Sequence, residues 1–147
     1  ATMHTNQTEG SVNPVGTHLG PKVALCDGYS ASDGDLFPYR FKYNKLGTLI
    51  GKRTWGGVVG YSGSIPCMDG GSLVTPSYAP YAADGSEFII EGRGVKPDIE
   101  VENDPHQEYK GIDNQLNKAI EVILEKLKTE KKSVPPIPAF PDKSGKK

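Results

Sequence analysis

Apolar residues in this chain fall into short runs early and one periodic stretch late. Val23-Ala24-Leu25-Cys26, inside Lys22 to Asp27 and entered through Pro21, predicts a buried strand, and Thr48 to Gly51 predicts a second. Between them, Leu36, Phe37, Tyr39, Phe41, Tyr43 and Leu46 are spaced unevenly, but Pro38 is tolerated in a first turn, so Leu36 to Leu46 predicts a helix. Val58 to Tyr61, Ser72 to Thr75 and Ser86 to Glu91 predict further strands, punctuated by the turn signals Asp69-Gly70-Gly71 and Asp84-Gly85. Together they suggest an antiparallel ribbon attached to the sheet, and Pro97 with Ile99 and Val101 suggests a last extended segment. The clearest element is a helix over about 114–129. Its Leu116, Ala119, Ile120, Ile123, Leu124 and Leu127 share one face, Asp113 is placed to cap it, and Lys126 and Lys128 sit at its negative end. It is expected to cover the sheet, with a subunit contact as its other use.

The ends differ in composition. Residues 1–19 are polar and aperiodic and read as loop or disorder, which makes His4 and His18 solvated rather than catalytic. Residues 130–147 read as a tail in which Pro135-Pro136-Ile137-Pro138-Ala139-Phe140-Pro141 is polyproline-like, either free or strapped to a neighbouring surface by Ile137 and Phe140. One domain over 20–129 is the natural count for 147 residues. The 18 glycines and 12 prolines favour turns and ordered loops over a helical bundle. A net charge of −1 argues against a phosphate-binding surface, so no nucleic-acid partner is expected. No apolar run approaches the roughly 20 residues of a membrane span. Cys26 reads as a small core residue and Cys67 as a loop residue; a bridge between them stays open, and no metal-ligand spacing or cofactor motif occurs.

The chemistry concentrates in Gly28-Tyr29-Ser30-Ala31-Ser32-Asp33-Gly34-Asp35-Leu36-Phe37, between the first strand and the first helix. A serine at such a turn has its hydroxyl lifted into the open beside the free N–H groups of a helix start, which can bind an oxyanion. Ser32 is the candidate nucleophile and the Asp33 N–H the candidate oxyanion donor. The same residues also satisfy a plainer pattern: Ser30-x-x-Asp33 and Ser32-x-x-Asp35 both resemble capping boxes. Trp55, the single tryptophan, lies in glycine-rich Arg53 to Gly60, where the backbone can approach either the nucleophile turn or a substrate. Packing inside the protein is the expected role of its ring, ahead of substrate contact.

Ser30 to Phe37 resembles the nucleophile segment of tricorn-type serine peptidases, relatives of the tail-specific (C-terminal-processing) peptidases. Leu46 to Gly60, Asp69-Gly70-Gly71, Glu91-Gly92-Arg93-Gly94-Val95-Lys96-Pro97-Asp98-Ile99-Glu100-Val101 and Gly111 to Leu116 resemble later blocks in the same order, over about Gly20 to Lys128. The resemblance implies an α/β domain of the ClpP/crotonase type, with a β-β-α core, an antiparallel β-ribbon and a C-terminal amphipathic helix. It implies hydrolysis of peptide bonds through an acyl-enzyme on Ser32. Tail-specific peptidases carry a dyad lysine where this chain has Gly57, so the tricorn-like arrangement is implied instead: a histidine, oriented through a second serine and a glutamate. Glu91 matches that glutamate. The histidine and second serine have no counterpart before Ser32, and His106 is expected in a loop without a catalytic role. The chain therefore resembles the C-terminal catalytic subdomain of a longer enzyme, partnered by the upstream polypeptide, by a peptide substrate and by further copies in a homo-oligomer. A cytoplasmic setting follows from the resemblance, with export as the other reading. A non-catalytic crotonase-fold binding, scaffold or oligomerisation module is the competing function.

Overall fold

The computed structural model describes residues 2–5, 10–130, 133–143 and 145. They form two compact units, Lys22–Glu125 and a second made of Ala1–Pro21 with Lys126–Lys147. The second unit opens with an antiparallel pair, β1 (Thr2–Thr5) and β2 (Gly10–Asn13), in which Met3 faces Val12 and His4 faces Ser11. Paired strands thus stand at 2–5 and 10–13, inside the segment expected to be loop or disorder, while 14–19 hold no strand. Polar strands show no hydrophobic alternation, and ladder hydrogen bonds need none. The proline-rich tail lies against this pair: a Cβ on Gly10 would stand 3.6 Å from Ile137 and 3.9 Å from Val134. Phe140 stays exposed.

In Lys22–Glu125 a mixed α/β core is built on three parallel strands. β3 (Val23–Cys26) pairs with β4 (Thr48–Gly51), and β4 pairs in turn with β9 (Ile99–Glu100). Leu49 and Ile50 of the middle strand are fully buried, which is why its sequence is apolar without alternation. α1 (Asp33–Tyr43) connects β3 to β4 and packs on both, with Phe41 in the core beside Ala24, Cys26 and Leu49. It starts three residues earlier than its apolar content predicts, so Pro38 sits in the second turn, not the first. It stops at Tyr43, before the predicted Leu46, because Lys45 turns left-handed (φ 51°). The Lys45 and Leu46 N–H groups then fold back onto the carbonyls of Lys42 and Phe41. Asp98 fastens helix to sheet: its carboxylate accepts from the Leu49 N–H at 2.9 Å and pairs with Lys42 at 2.9 Å.

The ribbon is a protruding hairpin. β5 (Gly60–Tyr61) pairs with β8 (Pro76–Tyr78), and β6 (Ile65–Pro66) with β7 (Ser72–Leu73); residues 61–78 are exposed throughout. Cys67 lies at its tip, and both cysteines are free thiols. The strand expected over Ser86 to Glu91 is absent: one bridge joins Tyr81 to Phe88, after which Ile90 takes a left-handed conformation (φ 70°) and the chain turns through Glu91–Arg93. Asp104 caps α2 (Pro105–Tyr109), accepting from the N–H groups of His106 at 2.8 Å and Gln107 at 3.1 Å, so His106 sits in a short helix rather than a loop. α3 (Asn114–Thr129) is capped by Asp113, which accepts from the Leu116 N–H at 2.8 Å. α3 meets the region of the sheet through Gln115, whose side chain donates to the Val101 carbonyl at 2.9 Å just past β9, but it does not bury the apolar face expected to cover the sheet. Ala119 is its one buried residue, and Leu116, Ile120, Leu124 and Leu127 remain about half exposed.

Candidate active site

The carboxyl ends of β3 and β4 open onto a cleft of about 520 Å³ lined by Asp27, Gly28, Tyr29, Lys52, Glu102 and Gln115. In sheets of parallel strands, this edge is where ligands are bound. Asp27 shapes the descending turn: its Oδ1 accepts from the Tyr29 N–H at 2.9 Å and the Ser30 hydroxyl at 3.1 Å. Cys26, just beneath, is unsuited to chemistry. Burial, reinforced by the charge of Asp27, pushes its thiol up to about 11, and its Sγ donates to the Lys52 carbonyl.

Ser32 follows, with φ 56° and ψ −113°. Residues with a Cβ rarely adopt this conformation, and it holds only where the surroundings enforce it. Four hydrogen bonds do so. The Ser32 N–H donates to the Gly57 carbonyl at 3.1 Å and to Asp35 Oδ2 at 3.0 Å, while the Ser32 carbonyl accepts from Asp35 and Leu36, the first bonds of α1. Ser32 is therefore a helix cap, as the local pattern indicates, but a strained and solvent-exposed one. Asp33 is the first residue of α1, where no intrahelical acceptor exists for its N–H. Among the described residues that N–H has no acceptor elsewhere.

Asp35 is fully buried and does more than cap. Its Oδ1 accepts from the Gly56 N–H at 2.8 Å and its Oδ2 from the Gly57 N–H at 3.2 Å, in addition to Ser32. The next two N–H groups, of Val58 and Val59, both donate to Glu91 Oε2, at 2.7 and 2.9 Å. Two carboxylates thus take four successive N–H groups. This is why the strand predicted from Val58 begins only at Gly60: N–H groups engaged by carboxylates cannot join a ladder. Gly56 permits the geometry with φ 90°, and a Cβ there would meet the Gly94 nitrogen at 2.5 Å.

Glu91 reaches this segment because residues 90–95 run beside 53–58. The Gly92 N–H donates to the Gly56 carbonyl, the Thr54 N–H to the Val95 carbonyl, and the Val95 N–H to the buried Thr54 hydroxyl. Ser32 and Glu91 do not touch. The Gly57 carbonyl and the Val58 N–H belong to one trans peptide unit, so the Ser32 nitrogen and Glu91 Oε2 stand roughly 8 Å apart or less across it. Glu91 Oε1 has no hydrogen-bond partner among the described residues.

Trp55 departs from expectation: the residue is 64% exposed rather than packed inside. It lies over Gly57, where a Cβ would come within 2.4 Å of the indole. His106, the histidine of this unit, makes no hydrogen bond to Ser32 among the described residues, while His4 and His18 belong to the other unit. The sequence singled out Ser32, Asp33 and Glu91. It marked Asp35 as no more than a cap, and the signal that would have found its larger role is a carboxylate three residues after the serine on a buried helix face.

The sequence profile of peptidase family S41 matches residues 2–101. The tricorn protease of Thermoplasma volcanium is 42% identical over 134 residues, 90% of this chain and 13% of that protein. The tricorn protease of Thermoplasma acidophilum is 38% identical over 138 residues, 92% of this chain and again 13% of that protein. Among solved structures, the crystal structure of the tricorn protease superposes with a TM-score of 0.76 at 37% identity, covering 88% of this chain and 13% of that one. The chain thus spans about an eighth of the length of the curated relatives it matches. With the profile matching well over half of its residues, the chain belongs to peptidase family S41.

Proposed function

We propose that this chain is the nucleophile-bearing part of a serine peptidase. The Ser32 hydroxyl attacks a peptide carbonyl, its proton passes through a histidine to the leaving amine, and water then hydrolyses the acyl-enzyme. The observation that carries this reading is the conformation of Ser32: an exposed serine held at φ 56° beyond strand β3, directly before a helix start with a free N–H. A structural cap needs no such strain.

Asp33 supplies one oxyanion donor. The N–H groups of Ser32, Gly56, Gly57, Val58 and Val59 are all engaged, so none of them is free to be the second. That donor, the histidine and its partnering serine come from elsewhere in the full-length polypeptide. Glu91 accepts the serine hydroxyl on Oε1 while Oε2 stays anchored to the backbone, and thereby orients the histidine. Residues 20–129 form the catalytic subdomain of a ClpP/crotonase-type fold, a reading supported by the parallel β3-α1-β4 unit. Segment 1–19 and tail 130–147 flank it. The substrate is a polypeptide, and the half-exposed apolar face of α3 supports assembly into a homo-oligomer.

A fluorophosphonate probe tests this. Applied to the full-length polypeptide, it is expected to label Ser32, with Ser32→Ala as the control. Silence of a folded full-length enzyme would instead favour the binding or scaffold module.

A further inference from the structure

We infer that Asp35 is the positioning residue of this site: its carboxylate builds and holds the strained turn that presents Ser32. The inference rests on the nucleophile reading above. Ser32, Gly56 and Gly57 send three N–H donors onto two oxygens in a fully buried setting. A carboxylate has lone pairs enough for all three; an amide has a single accepting oxygen, and its NH₂ would face a donor. The contact is also closed on itself. Asp35 Oδ2 joins the N–H groups of Ser32 and Gly57, and the Gly57 carbonyl accepts from the same Ser32 N–H. Rotating Ser32 toward a relaxed φ swings its N–H away from both acceptors at once.

The same bonds set the oxyanion geometry. Asp35 is the third residue of α1, so pinning it to Gly56 and Gly57 fixes where the Asp33 N–H points relative to the glycine-rich segment. By occupying the N–H groups of Ser32, Gly56 and Gly57, it leaves Asp33 as the free donor beside the nucleophile. A carbonyl oxygen arriving at Ser32 then meets one N–H, not a competing set. Asp35 itself is buried beneath the turn and touches no substrate.

The test uses the full-length polypeptide with Asp35→Asn and Asp35→Glu. Three quantities are read: the rate at which a fluorophosphonate labels Ser32, kcat and KM on a peptide substrate, and backbone hydrogen exchange by segment. Asp35→Asn is expected to lower the labelling rate and kcat by about a hundredfold, the scale of a misplaced reacting group, with KM within twofold. Exchange should rise in 31–36 and 54–58 and stay unchanged in β3 and β4. Asp35→Glu, which keeps the carboxylate, should recover part of the rate. In any variant protected elsewhere, slow labelling together with local loss of protection supports the inference. Labelling within threefold of wild type despite that loss overturns it, as does slow labelling with the turn still protected. If Asp35→Asn loses protection throughout 22–125 it reports unfolding, and Asp35→Glu decides by the same criteria. A wild type that resists the probe sinks the nucleophile reading and with it any catalytic meaning for Asp35, while exchange in the variants still decides whether the carboxylate holds the turn.

Discussion

Replacing Ser32 with glycine should leave the folded chain more stable than replacing it with alanine. At φ 56° and ψ −113° the backbone of Ser32 is outside the regions a Cβ tolerates, a condition that costs about 1–3 kcal/mol. Alanine keeps the Cβ and the cost; glycine removes both. Glycine also loosens the unfolded chain, which offsets about 0.4–1 kcal/mol of the gain. Both variants lose the hydroxyl of an exposed residue, and both retain the N–H bonds to Gly57 and Asp35. The net expectation is a glycine variant about 0.5–2 kcal/mol more stable than the alanine one. Urea denaturation followed by far-UV circular dichroism measures the difference, provided the two curves share a slope. In thermal melts the gap should be a few degrees, at about 2–4 °C per kcal/mol for a chain of this size. A glycine variant equal to or less stable than the alanine variant would show that Ser32 carries no strain and is an ordinary helix cap.

Other perturbations reach separate parts of the site and sheet. Glu91→Ala strips the Val58 and Val59 N–H groups of their acceptor beside a buried residue, and urea denaturation should record a loss of about 1–3 kcal/mol, with Glu91→Gln losing less than half of that. Burial works to raise the Asp98 carboxyl, but the Leu49 N–H and Lys42 overcome it and hold the group below its ordinary value. Its contribution is therefore complete above about pH 4 and lost as pH falls through the folded value, so Asp98→Asn should flatten the acid limb of a stability–pH curve. Iodoacetamide at pH 8 should modify exposed Cys67 in the native chain and reach Cys26, with its thiol near 11, only on unfolding. Equal rates at the two cysteines, followed by mass spectrometry, would contradict the burial of Cys26.

The elements legible in the sequence are those whose cause is local. The apolar run of β3 and the buried pair of β4 define strands whatever surrounds them, and the periodicity of α3 with its Asp113 cap needs only neighbours three and four residues away. The order of short blocks from Gly20 to Lys128 was enough to point to the family. What only the tertiary structure decided is where polar groups find partners far along the chain. Ser32 becomes more than a cap because Gly57, 25 positions on, accepts from its N–H. Asp35 and Glu91 become structural by taking N–H groups 21 and 33 positions distant, and Glu91 thereby delays to Gly60 a strand that propensity starts at Val58. The α3 face reads as core by its period yet stays half exposed, because periodicity states that a face is apolar and not what will cover it. Apolar patterning is written residue by residue, whereas the satisfaction of buried donors and acceptors is settled only when distant segments meet, and the site is made of the latter.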